Sequence, residues 1–111
     1  MKNEFTLYAA NCTGNVNNAS YPEAVRITDL DSLRRAVSRD HVSAKYRDNH
    51  RKNNNFEYAD GIMFDVDNTP SEGGPDIPPE QWKTPADVRA AFPNVAFYAV
   101  TSLTVLPLIA L

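Results

Sequence analysis

Cysteine is almost missing from this chain. Cys12 is the only one in 111 residues, which excludes an internal disulfide and a four-cysteine zinc site. A cationic start followed by an apolar stretch is also missing from the N-terminus, so no secretory leader is read and the expected compartment is the cytoplasm. Without secretion, the acceptor-like triplets Asn11-Cys12-Thr13 and Asn18-Ala19-Ser20 are chance matches. Internal repeats and low-complexity tracts are absent. Charge vanishes altogether from Val95 to Leu111, yet Pro107 and the lack of a flanking cation argue against a membrane span there.

What remains is an ordinary globular composition. Apolar residues make up 42% and charged residues 23%, and the length suits one small domain. The net charge of −3 hides an uneven distribution. Lys45, Arg47, Arg51 and Lys52 form a basic run broken by Asp48, whereas the stretch from Glu57 to Asp87 carries acids opposed only by Lys83. A basic segment beside an acidic one suits an anionic substrate bridged by metal, and it equally suits two solvated surfaces.

In chain order, Glu4–Ala9 reads as a strand and Asn11–Pro22 as a polar loop. Leu30, Leu33 and Val37 recur at helical spacing behind a cap at Thr28 or Asp29, with Arg34, Arg35 and Arg39 largely off that stripe. His41–Asn55 has no clear period; its Lys45-Tyr46-Arg47 and His50-Arg51-Lys52 mix an aromatic with cations, as a phosphate-holding, base-stacking segment would. Asn53-Asn54-Asn55 reads as a polar break. Thr69–Pro79, with four prolines, must be an irregular loop. Thr84-Pro85-Ala86-Asp87 is a helix start with a capping box, Val88, Ala91 and Phe92 form the expected buried stripe, and Pro93 ends it. Trp82 is expected to pack against the helix entrance, and Val95–Val100 to form another buried strand. The pattern predicts an α/β (α+β) domain with a mixed sheet and flanking helices.

The stretch Gly61-Ile62-Met63-Phe64-Asp65-Val66-Asp67-Asn68 is expected to be the central buried strand. Period-two alternation puts Asp65 and Asp67 on one face, about 6.5–7 Å apart at Cα. Two carboxylates so placed can lean onto one or two divalent cations, as two-metal phosphoryl-transfer sites require. Turn formation accounts for Asp67-Asn68 but not for Asp65, a costly charge inside an apolar strand.

The run from Asn55 to Asn68 resembles the first catalytic motif of primase-polymerases of the archaeo-eukaryotic primase superfamily, in the form carried by phages, plasmids and integrated elements. Trp82-Lys83-Thr84-Pro85-Ala86-Asp87-Val88 and Phe92-Pro93-Asn94-Val95-Ala96-Phe97, leading to Ser102, fit in order and spacing, and the similarity spans Val25 to Ser102. It implies part of an RRM-like catalytic core, with Asp65 and Asp67 as ligands to Mg²⁺ or Mn²⁺. Lys45, Arg47, Arg51 and Lys52 become candidates for contact with a DNA template or a nucleoside triphosphate, and a helicase is a possible associate. The family continues after the serine with basic residues, a histidine-bearing strand and a third acid. Residues 103–111 supply none of these, and His41 and His50 both precede the motif. The resemblance therefore implies that residues 1–102 are the N-terminal part of the catalytic domain, truncated or frame-shifted, with an aberrant apolar tail and no activity alone.

Two other readings compete. Phe64-Asp65-Val66-Asp67-Asn68-Thr69 looks like the strand-end signature of haloacid dehalogenase phosphatases, with Asp65 as nucleophile and Asp67 as acid/base. Against it stand Pro70 in place of an apolar residue, a position some sixty residues into the chain, and no later Lys and acidic pair. A non-catalytic nucleic-acid-binding fragment would use only the run from Lys45 to Lys52. A calcium loop lacks the required acidic alternation and central glycine.

Overall fold

The computed structural model describes residues 4–64 and 74–100. Residues 4–63 form one compact unit, and residues 64 and 74–99 belong to a second. The described elements make a small mixed α/β protein with antiparallel sheets and two α-helices.

In the first unit, strand β1 (Phe5–Ala9) is the centre of a three-stranded sheet, flanked by β2 (Glu23–Ile27) and β3 (His41–Val42). Leu7 faces Val25 in register, and Phe5 faces Ile27. Helix α1 (Leu30–Val37) packs on β1 and β2. Its start is fixed by Asp29, whose carboxylate accepts from the Ser32 nitrogen at 2.8 Å, while the Asp29 nitrogen donates to Ser32 Oγ at 3.1 Å. Val25, Ile27, Leu33 and Ala36 are buried, and the complete burial of Ile27 stabilises the fold by about 1.5–3 kcal/mol. A second cluster gathers Tyr8, Ala10 and Tyr21, with Cys12 and Val42 packed against it. Successive residues of β1 therefore bury in turn, which explains why Leu7, Tyr8 and Ala9 are all inside.

Strands β4 (Ala44–Tyr46) and β5 (Phe56–Ala59) form a separate antiparallel ribbon. Of the central strand expected over Gly61–Asn68, only residues 61–64 are described. Its described part, Gly61–Phe64, is outside any strand and exposed, with Ile62 at 83% and Phe64 at 75% of full accessibility. The cause is the partner: Ala59 pairs with Ala44, the first residue of β4, so the ladder has nothing further to pair with. Asp65 to Asn68 lie outside the described residues. The sheets are antiparallel rather than mixed, among the described residues.

In the second unit, helix α2 (Pro85–Ala91) begins with the expected box: Thr84 accepts from the Asp87 nitrogen, and Asp87 accepts from the Thr84 nitrogen at 2.7 Å. The expected buried stripe is not found. No residue of α2 is buried, and Phe92 is exposed, its ring stacked on Phe64 at 6.0 Å. The Trp82 indole donates to the Ile77 carbonyl at 2.8 Å, closing the turn before the helix. Residues 95–99 are not a strand. Arg89 Nη1 instead donates to the carbonyls of Phe92, Pro93 and Val95, and its guanidinium lies over the Phe97 ring, so the chain wraps this side chain instead of extending. No helix among the described residues is long and apolar enough to cross a membrane.

Candidate nucleic-acid interface

The basic run occupies the turn of the β4–β5 ribbon. Lys45 lies on β4, Arg47 opens a 3-10 turn (Arg47–Asn49), and Arg51 and Lys52 lead into a second one (Asn53–Asn55) that delivers the chain to β5. Asparagine holds three of these cations. Lys45 Nζ donates to Asn49 Oδ1 at 2.8 Å and to the Tyr46 carbonyl at 3.1 Å. Arg47 Nη2 donates to Asn55 Oδ1 at 2.9 Å, and Asn55 Nδ2 donates to the His50 carbonyl. Arg51 reaches the Asn18 carbonyl, and its guanidinium lies 5.7 Å from the centre of the Tyr21 ring.

These acceptors are neutral, and that decides the electrostatics. Arg26, Arg34 and Arg39 each pair with a carboxylate, while none of Lys45, Arg47, Arg51 and Lys52 does so among the described residues. The side chains of Lys45, Arg47 and Arg51 are oriented without being neutralised. Their charge stays available to an anion.

The backbone beneath is also fixed. Asp48 and Asn49 both adopt the left-handed region, at φ 58° and 57°, which Asp and Asn tolerate better than other side-chain-bearing residues. The turn is laced to the preceding loop: the Tyr21 nitrogen donates to the Asn49 carbonyl at 2.9 Å, and the Arg51 nitrogen donates to the Ala19 carbonyl at 2.7 Å. Two adjacent left-handed residues inside a basic turn form the kind of strained segment that a surrounding framework must hold in place.

Aromatic side chains line the ribbon. A register shift between Lys45 and Tyr46 brings Tyr46 opposite Phe56, with ring centres 6.3 Å apart and edge to face, while Lys45 pairs with Tyr58. Phe56 and Tyr58 remain 55% and 52% exposed. The ribbon is anchored to the three-stranded sheet at two points. Tyr8, 7% exposed, donates its hydroxyl to the Tyr58 hydroxyl at 3.4 Å; burial first, then this bond and the nearby acids, push the Tyr8 phenol up to about 12. Asp60 accepts from the Thr6 nitrogen at 2.9 Å and from Arg26 at 3.1 Å.

The structure thus brings Lys45 and Arg47 together on one ribbon, with Arg51 and Lys52 on its connection. It does not describe the placement of Asp65 and Asp67. Among the described residues no group of three or more His, Cys, Asp or Glu is arranged to hold a metal. Sequence reasoning missed the asparagines at 49 and 55 as cation holders and Phe56 and Tyr58 as exposed aromatics. The aromatic alternation Phe56-Glu57-Tyr58 was the available signal for the second pair. Comparison with protein-family models, with curated proteins and with solved structures finds no match to this chain.

Proposed function

We propose that this chain carries the first carboxylate motif and an adjoining phosphate-contacting segment of a metal-dependent nucleotidyl transferase of the primase-polymerase type, built on part of an RRM-like core. The observation that carries the reading is the basic turn. Three of its cations are held by neutral acceptors, on a ribbon whose second strand ends at Ala59, six positions before Asp65. Asp65 and Asp67 are hard oxygen donors two positions apart, a donor set whose chemistry fits Mg²⁺ or Mn²⁺. When bound, such an ion supplies charge neutralisation at a triphosphate and lowers the pKa of an attacking hydroxyl. The chain's own part is to fix cations near the phosphates of a template or a nucleoside triphosphate, which cuts the ordering cost of the encounter. DNA and nucleoside triphosphates are the partners this reading implies.

Equilibrium dialysis of a labelled nucleoside triphosphate, with and without Mn²⁺, tests the reading. Retention that requires Mn²⁺ and is lost in Asp65→Asn supports it. Retention indifferent to both refutes it.

A further inference from the structure

Asp60-Gly61 is the one place in the chain where an aspartate or asparagine precedes a glycine. At such a pair the following main-chain nitrogen can attack the side-chain carboxyl carbon, because glycine has no Cβ to crowd the approach. Neither conformation nor packing requires a glycine at 61. Its φ is outside the left-handed region, and a Cβ placed on it would meet nothing within 4 Å. The chain bends here, exposed to solvent and past Ala59, the last paired residue of β5. Asp60 itself is held. Its Oδ2 accepts from the Thr6 nitrogen at 2.9 Å and from Arg26 Nη1 at 3.1 Å, which commits the carboxylate to the three-stranded sheet. Both side chains of the ion pair are partly solvated, so this clamp opens more readily than the core beneath it.

We infer that Asp60-Gly61 is a site of self-modification to isoaspartate, gated by the clamp that Thr6 and Arg26 place on the Asp60 carboxylate. When the clamp opens, the Gly61 nitrogen bonds to Asp60 Cγ. The N–H proton, one carboxyl oxygen and a solvent proton leave as water, and a five-membered succinimide closes. Water then adds to either ring carbonyl. Addition at Cγ breaks the new bond and restores aspartate. Addition at the main-chain carbonyl breaks the original peptide bond and leaves isoaspartate, with the main chain running through Cβ and Cγ. No oxidant, metal or nucleotide is consumed, so this chemistry is independent of the proposed function. Isoaspartate carries its carboxylate directly on Cα and lengthens the main chain by one carbon. The acceptor is thereby displaced from Thr6 and Arg26, and the exit of the ribbon loses its hold on the sheet.

Incubation of the full chain at neutral pH and body temperature tests this, with isoaspartyl groups counted by enzymatic carboxyl methylation and located by peptide mapping. Isoaspartate is expected to accumulate at Asp60, and about tenfold faster in concentrated urea, where the clamp is gone. Arg26→Met keeps the aliphatic stem on β2 and removes the guanidinium; it is expected to react about threefold faster than the parent chain. Thermal melting of this variant separates clamp opening from global unfolding. Gly61→Ala, which the structure accommodates, is expected to suppress the reaction in buffer and in urea alike. In the purified isoaspartyl form, hydrogen exchange at Thr6 is expected to accelerate. No isoaspartate at Asp60 even in urea overturns the inference. So do equal rates in the parent chain and Arg26→Met, undiminished reaction in Gly61→Ala, or unchanged exchange at Thr6 after conversion.

Discussion

The Asp60 carboxylate lies 3.1 Å from the Arg26 guanidinium, bridging the end of the β4–β5 ribbon to the edge of the three-stranded sheet. The same oxygen accepts from the Thr6 nitrogen at 2.9 Å. Strand β3 pairs only with Tyr8 and Ala9, so the Thr6 N–H stands where no neighbouring strand reaches, and Asp60 takes the place of a strand. The ribbon is therefore held by one side chain at its exit, by the Tyr8–Tyr58 contact, and at its turn by the Tyr21–Asn49 and Arg51–Ala19 backbone bonds.

Asp60→Ala should remove both bonds at once. The ion pair is partly solvated and contributes little, while the charged acceptor on a backbone donor contributes more. Urea denaturation is expected to show a loss of about 1–2 kcal/mol, and hydrogen exchange at Thr6 should accelerate. An unchanged midpoint would show that the Tyr8–Tyr58 contact suffices.

Asn55→Asp converts a neutral holder of Arg47 into a carboxylate at the same position. The pair with Arg47 should strengthen while the Asn55 Nδ2 bond to the His50 carbonyl is lost, and these opposed changes should leave stability within about 1 kcal/mol of the parent chain. Affinity for single-stranded nucleic acid should nevertheless fall about threefold or more, because one cation is now compensated. Parallel melting and anisotropy measurements separate the two effects.

Asp48 sits at φ 58°, ψ 22°, where a β-branched side chain fits poorly. Asp48→Val should cost about 1–2 kcal/mol, and Asp48→Gly should not, when thermal midpoints are compared. A matching loss in both variants would point to the Asp48 carboxylate and away from backbone geometry.

Acid should loosen the junction of the first loop with the end of α1. Asp40 accepts from the nitrogens of Gly14 and Asn15 at 2.7 and 3.0 Å, and these bonds hold its carboxyl below the ordinary value of 3.8. A carboxyl depressed in the folded state contributes stability above its unfolded pKa, and that contribution is lost as pH falls through the folded value. Tyr8 works from the other side. Its phenol is raised from 10.0 to about 12, so its contribution is complete below pH 10 and is lost as pH rises toward 12. Stability measured against pH should fall at both ends; Asp40→Asn should flatten the acid limb, and Tyr8→Phe the alkaline one.

Local chemistry was readable in the sequence, and long-range pairing was not. The box expected at Thr84 starts its helix as the spacing requires, and of the two caps offered by Thr28 and Asp29 the structure uses Asp29, boxed with Ser32. Strand β1 was also legible, because Phe5 to Ala9 is compact and apolar. The ribbon was not. Ala44–Tyr46 carries too few residues to show a period, and β5 is exposed throughout, so its short Phe56-Glu57-Tyr58 alternation marks no buried face. The apolar run Ile62-Met63-Phe64 looked like a better strand than Phe56–Ala59, yet the ladder stops where β4 begins. Arg89 likewise keeps residues 95–99 out of the strand expected over 95–100 by taking the carbonyls of Phe92, Pro93 and Val95 for itself, and Val100 alone is in a β-bridge.

The most direct test of the nucleotidyl-transferase reading is a Mn²⁺ titration followed by the electron paramagnetic resonance signal of the free ion. The account predicts saturable binding that tightens when a nucleoside triphosphate is present and that Asp65→Asn or Asp67→Asn reduces at least about tenfold. Mn²⁺ binding that survives the double substitution, or none in the parent chain with triphosphate present, would contradict it.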